Sequence, residues 1–258
     1  MPYAIAPDGC RIAYQVEGQG LPLVLLAGQS NNHHWWDGIR EDFHATHQTI
    51  TLDYRGTGDS DEPPGPYSTE GLADDVIAIL DDLGVDRADV YGTSMGGRVA
   101  QWVAARHPDR VRRLVLGCTS PGRGHGIERD NSIRAALSDR DRAVVRQTLI
   151  DLMYTPAWQA THPGPHNTLG DRNLTSNARR AHLMASHRHD AWDALPQITA
   201  PTLVVHGTED VFNPVANAPL LTERIPHARM QLIEGARHAY FEEFREVAGP
   251  LVRDFLAD

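Results

Sequence analysis

Apolar positions along the chain follow two patterns: short runs that are apolar throughout, and longer stretches with apolar residues three or four apart. Tyr3 to Ala6 and Cys10 to Glu17 read as strands joined by the Pro7-Asp8-Gly9 turn, a hairpin. Leu21 to Leu26 has the unbroken apolar character of a strand buried on both faces. A polar loop, Ala27 to Trp36, follows and enters a short helix, and Gln48 to Asp53 is the next strand. Ser68 or Thr69 caps a helix that carries Leu72, Val76, Ile79, Leu80 and Leu83 on one face and ends at Gly84. A strand ends at Val90-Tyr91, and a helix runs from Met95 to His107-Pro108 with Val99, Trp102, Val103 and Arg106 at spacings of three and four. Val111 to Leu116 is again a strand.

The rhythm then changes. Residues 121–196 hold helical patterns and no convincing buried strand, and the alternation resumes with a strand at Pro201 to His206. A helix near Val215 to Ile225, a strand at Arg229 to Ile233 and a final helix from Phe241 to Leu256 complete the chain. Repeated strand–helix units predict an α/β protein with a mostly parallel eight-stranded sheet flanked by helices. Residues 1–120 and 197–258 form its core, and 121–196 form an inserted helical cap. On such a sheet, sites gather at the carboxyl ends of the strands.

Composition narrows the field. The 258 residues carry a net charge of −10, which argues against a nucleic-acid partner or an anionic membrane surface. No apolar run approaches the length of a membrane span, and the N-terminus lacks a basic patch followed by an apolar stretch. The two cysteines, Cys10 and Cys118, read as free thiols in a reducing cytoplasm, so a cytoplasmic location is expected.

The chemistry gathers where strands end. Gly92-Thr93-Ser94-Met95-Gly96 lies between a strand and a helix, the Gly-x-Ser-x-Gly turn that lifts a serine hydroxyl clear of the sheet. The helix N-terminus behind Ser94 favours developing negative charge. Asp210 follows the strand ending at His206, between Gly207 and Pro214, with Glu209 as an adjacent rival carboxylate. His238 stands out among fourteen histidines because it lies between the last strand and the last helix. The chain order Ser94, Asp210, His238 is the nucleophile–acid–base order that belongs to this turn.

On these residues the sequence resembles the α/β-hydrolase family along most of its length. It is particularly similar to 3-oxoadipate enol-lactonases and related small esterases in Gly92-Thr93-Ser94-Met95-Gly96-Gly97, Gln101-Trp102, His107-Pro108 and Arg113-Leu114-Val115-Leu116. Asp53-Tyr54-Arg55-Gly56-x-Gly58-x-Ser60 and His206-Gly207-x-x-Asp210-x-x-x-Pro214 are further motifs of the family. The resemblance implies an α/β-hydrolase fold with Ser94 as nucleophile, His238 as general base and acid, and Asp210 as its orienting partner. It implies an oxyanion hole from the N–H groups of Met95 and Gln29, the latter following an Ala27-Gly28 pair where the family usually has His-Gly. The implied substrate is a small-molecule carboxylic ester or lactone, with no cofactor and no metal. A lyase or a cofactor-free perhydrolase using the same triad is the nearest enzymatic alternative. A ligand receptor or pseudo-enzyme of the same fold is the alternative from another class.

Weaker features complete the picture. Trp36, Trp158 and Tyr240 are expected to line the substrate pocket, with Met153, Tyr154 and Met184 as further apolar candidates. His33, His34, His44 and His47 match no zinc spacing and are expected on a helix surface. Arg98 resembles the Gly-Gly-Arg of the menaquinone-pathway synthase but reads first as a helix-surface charge. Arg123, Arg129 and Arg134 read as solvated cap charges.

Overall fold

The strands predicted from the apolar runs join into one sheet. The computed structural model describes residues 1–257; Asp258, the last residue of the expected core segment, lies outside them. The strands are β1 (Tyr3–Ile5), β2 (Arg11–Gly18), β3 (Leu21–Leu26), β4 (His47–Leu52), β5 (Ala88–Thr93), β6 (Val111–Gly117), β7 (Thr202–Gly207) and β8 (Ala228–Ile233). Their order across the sheet is β1-β2-β4-β3-β5-β6-β7-β8. The first two strands form the expected hairpin, with Tyr3 opposite Ala13 and Ile5 opposite Arg11. β2 runs antiparallel to β4, and every later pairing is parallel.

The apolar runs become the centre of the sheet because helices cover both of its faces. β5 and β7 are buried from end to end. Helix α1 (Thr69–Asp82) buries Leu72, Val76, Ile79 and Leu80, and Ser68 caps it by accepting the Gly71 N–H. Gly84 takes a left-handed φ of 64° just after it, as a helix stop requires. Helix α2 (Met95–Arg106) buries Val99 and Val103 against the sheet.

Between β6 and β7 the chain forms α3 (Asn131–Ala136), α4 (Arg142–Met153), α5 (Pro156–Thr161) and α6 (Ser176–Arg188), and the described residues there contribute no strand to the sheet. After β7 come α7 (Asn217–Arg224), β8, α8 (Tyr240–Glu243) and α9 (Arg245–Ala257). The final helix is therefore two, interrupted at Phe244, whose φ of −105° and ψ of 34° leave the helical range. No described helix is long and apolar enough to cross a membrane.

The four histidines expected on a helix surface divide instead. His34 is exposed, but His47 belongs to β4 and is buried 3.4 Å from Asp89. His33 places Nδ1 2.6 Å from the buried carboxylate of Asp53. That contact overcomes the effect of burial, which disfavours the charged ring, and raises the pKa of His33. The helix-surface expectation fails for His47, which opens β4, and the partners of His33 and His47 come from elsewhere in the chain.

Candidate active site

Three strands deliver the site to one end of the sheet. In the parallel register Thr93 pairs with Gly117, Gly117 with Val205, and Gly207 with Ile233. The residues after β5, β7 and β8, which include Ser94, Asp210 and His238, therefore leave from the same end.

Ser94 takes φ 56° and ψ −120°, a conformation L-residues rarely adopt, as the N-cap of α2. Its N–H donates to the Gly117 carbonyl at 2.9 Å, and its own carbonyl accepts from the Thr119 hydroxyl at 2.7 Å. The flanking glycines allow the turn. A Cβ on Gly92 would lie 2.2 Å from the Gly96 carbonyl oxygen, and one on Gly96 would lie 2.1 Å from that of Leu26. The second approach also brings the start of α2 against the loop that follows β3.

Asp210 and His238 are joined directly. His238 Nδ1 lies 2.7 Å from Asp210 Oδ2, and both side chains are buried. The other carboxylate oxygen, Oδ1, accepts the Asn213 N–H at 2.9 Å, and His206 Nε2 lies 3.3 Å from Oδ2 while donating to the Asn213 carbonyl at 2.7 Å. Burial alone pushes a carboxyl pKa up. Here the His238 charge and the bonds from His206 and His238 outweigh it and hold Asp210 well below the usual carboxylate range. The carboxylate thus faces donors on both oxygens. Glu209, the rival acid, is exposed and lies 4.0 Å from Arg237.

The outer ring nitrogen of His238, Nε2, is buried and has no hydrogen-bond partner among the described residues. The Phe212 ring packs 4.9 Å from the imidazole, edge to face. The backbone on either side of the imidazole is tied to the end of α4, since the N–H groups of His238 and Ala239 donate to the carbonyls of Leu152 and Met153.

The loop after β3 carries Gln29. No described residue accepts the N–H of Gln29 or that of Met95, so two main-chain donors remain open beside the elbow. Asn32 caps the short 3-10 helix His33–Trp36, whereas Asn31 turns back to donate from Nδ2 to the Gln29 carbonyl at 2.9 Å. The indole of Trp35 packs under Gly28 and donates to Thr93 Oγ1 at 3.0 Å.

The aromatic residues expected in a pocket lie in two settings. Trp36 and Tyr240 are fully buried in the core. Trp36 packs against Tyr91 and Phe241, and the Tyr240 hydroxyl shares a 2.9 Å hydrogen bond with that of Tyr91. Trp158 lies half-buried on α5, stacked on His162 with ring centroids 3.5 Å apart.

Arg98 is not the surface charge its position suggests. Its guanidinium bonds the Ser186 carbonyl at 2.6 Å and the Ser120 hydroxyl at 3.0 Å, tying α2 to the end of α6. Burial and the nearby Arg129 push its pKa down to about 10. Arg129 is half-buried with its guanidinium 4.2 Å from the centre of the Phe212 ring, so it too departs from the expected solvated charge. Arg123 is exposed, and Arg134 pairs with Glu128.

One donor group has the size of a metal site: Cys118, Asp210 and His238 present ligand atoms within 4.8 Å of one another. The Asp210 oxygen and the His238 nitrogen that face each other are engaged together. Burial and the Asp210 charge push the Cys118 thiol well above its ordinary pKa, so it is a neutral thiol. This set is chemically suited to hydrogen bonding.

A strained serine beside open main-chain donors, at the same strand ends as a buried carboxylate–imidazole pair, is the arrangement that a Gly-x-Ser-x-Gly elbow serves. The chain belongs to the alpha/beta hydrolase fold family, whose model matches residues 22–244. Among similar proteins, a pimeloyl-[acyl-carrier protein] methyl ester esterase of Neisseria meningitidis is 30% identical over 91% of this chain and 93% of its own. The solved structure of Est816, an N-acyl homoserine lactone degrading enzyme, is 32% identical with a TM-score of 0.83 and covers 98% of this chain and 100% of its own. The enol-lactonase from Burkholderia xenovorans LB400 is 25% identical with a TM-score of 0.86, covering 100% of both chains.

Proposed function

We propose that this chain is a serine hydrolase that cleaves a small carboxylic ester or lactone through an acyl-enzyme. The observation that carries the reading is the Asp210–His238 contact, which leaves a buried imidazole nitrogen without a partner at the strand ends where Ser94 is displayed. A serine hydroxyl is a poor nucleophile at neutral pH and needs a base. In this reading His238 Nε2 takes the Ser94 proton as Oγ attacks the substrate carbonyl carbon. Asp210 holds the proton-bearing Nδ1 and stabilises the imidazolium that forms.

The tetrahedral oxyanion is received by the N–H groups of Met95 and Gln29, each worth about 3 kcal/mol of barrier. Its collapse expels the alcohol, or opens the lactone ring, with the proton supplied by His238. Water activated by the same imidazole then frees Ser94. Residues 121–196 act as a cap over the site, with Trp158 on its α5 helix as a substrate-facing residue. Trp36 and Tyr240 take a packing role. The similarity to proteins named as a methyl ester esterase, an N-acyl homoserine lactone degrading enzyme and an enol-lactonase supports esters and lactones as the substrate class.

The test is a panel of p-nitrophenyl esters and simple lactones. Turnover by the wild type that Ser94→Ala abolishes is the expected result. Ligand binding without turnover, and no labelling by a fluorophosphonate, would transfer the fold to a receptor role.

A further inference from the structure

The loop that presents the Gln29 N–H is held chiefly from outside its own strand. Ala27 offers no polar side chain, and among the described residues its carbonyl receives only a long 3.3 Å bond from the Tyr54 hydroxyl. Ser30 sits at φ 63°, a left-handed conformation that costs a non-glycine residue about 1 kcal/mol and persists only where surrounding contacts impose it. Those contacts come from the segment between β6 and β7. The Asp171 N–H donates to the Ser30 carbonyl at 2.7 Å, and the Gly170 N–H donates to Asn31 Oδ1 at 2.8 Å. The Ser30 N–H in turn points to Nδ1 of His182, on α6, at 3.4 Å.

We propose that His182 is a positioning residue for the oxyanion hole, its bare Nδ1 holding the Ser30 N–H so that the adjacent Gln29 N–H stays aimed at the reacting carbonyl. The proposal rests on the hydrolase reading above. Its geometry assigns the tautomer. His182 Nε2 lies 2.9 Å from the Arg55 carbonyl, which only accepts, so Nε2 carries the proton and Nδ1 is left as the acceptor that Ser30 needs. The ring is fully buried between Tyr54 and Tyr67, each meeting it edge to face. Burial lowers its pKa and keeps it neutral, which preserves the acceptor. His182 thereby fastens the loop after β3 to the loop after β4, while Asn31 carries the constraint inward through the Gln29 carbonyl.

Two variants separate positioning from support of the fold. In His182→Asn, Oδ1 takes the place of Nδ1 and keeps the acceptor for Ser30 while losing the bond to Arg55. In His182→Gln, Nε2 keeps the bond to Arg55 while the Ser30 acceptor is lost. Hydrogen–deuterium exchange of the 27–32 segment is measured alongside kcat and KM on an ester that the wild type turns over. The expected result for His182→Gln is a kcat lower by about 10- to 100-fold, part of the full loss of one oxyanion donor, with KM within about 2-fold and faster exchange in the loop. His182→Asn is expected within about 3-fold of wild type in kcat, with protected exchange. Wild-type kcat and exchange in His182→Gln, or equal losses in both variants, overturn the proposal. If the wild type turns over no ester, the hydrolase reading falls, and exchange alone then decides whether His182 holds the loop.

Discussion

Asp210 Oδ2 lies 2.7 Å from His238 Nδ1 while Asp210 Oδ1 accepts the Asn213 N–H, so the carboxylate is held by donors at both oxygens and the imidazole by one acceptor. The consequence is a ring whose orientation and tautomer are set before substrate arrives. Asp210→Asn presents an amide N–H or a weaker acceptor to that nitrogen. Its kcat is expected to fall about 10⁴-fold with little change in KM, as for the loss of a triad carboxylate elsewhere. Steady-state kinetics on a p-nitrophenyl ester check this, and a loss under 10-fold would contradict it.

The same contact predicts how stability responds to acid. The pKa of Asp210 is lower in the folded chain than in the unfolded one, where a carboxyl titrates near about 4. The unfolded state therefore binds the proton first as pH falls. The contribution of the pair is complete above about pH 4 and is lost as the pH drops from there through the depressed folded value. Urea midpoints measured from pH 6 downward should converge for wild type and Asp210→Asn as the pH falls. A constant difference would place the stabilisation elsewhere.

The elbow was readable from local spacing because its demands are local. Gly92 and Gly96 are required by carbonyl oxygens 2.2 and 2.1 Å from where a Cβ would sit, the first that of Gly96 in the same turn and the second that of Leu26 at the end of β3. Either Gly→Ala change is expected to cost about 3 kcal/mol, since backbone rather than a flexible side chain must move. Thermal melts or soluble yield check this, and a melt within 2 °C of wild type would contradict the packing described.

What spacing did not reveal came from contacts between distant segments. Arg98 looked like a surface charge because its own helix offers it no partner; Ser186, 88 residues away, does. His182 carries no motif at all, and its two partners belong to loops 127 and 152 residues upstream. His47 and Arg129 follow the same rule. The existence of the strands and the placement of Ser94, Asp210 and His238 after strand ends depended instead on periodicity and turn chemistry, which a single sequence carries, whereas the order of the strands across the sheet came only with the structure.

Arg98 also predicts how the segment between β6 and β7 is fastened. Arg98→Met removes the bonds to Ser186 and Ser120 while keeping much of the side-chain bulk. Limited proteolysis should cut within residues 121–196 several-fold faster than in wild type, with cleavage of the sheet unchanged. An unaltered digestion pattern would show that the segment is held without Arg98.

Tyr240 offers a test of packing against substrate contact. Tyr240→Phe removes one partner of a buried hydroxyl pair and leaves Tyr91 without it, at a cost of about 1–3 kcal/mol. KM and kcat are expected to stay within about 2-fold of wild type. A selective rise in KM with an unchanged melt would return Tyr240 to the substrate pocket.

The central proposed step is acylation of Ser94 with His238 as its base. Rapid mixing with a p-nitrophenyl ester, quenched and mapped by mass spectrometry, reads that step directly. The predicted result is a burst of about one p-nitrophenol per chain with the acyl group on the peptide containing Ser94, a burst slowed by His238→Ala and absent from Ser94→Ala. Turnover that survives Ser94→Ala, or an acyl group carried by any other side chain, would contradict it.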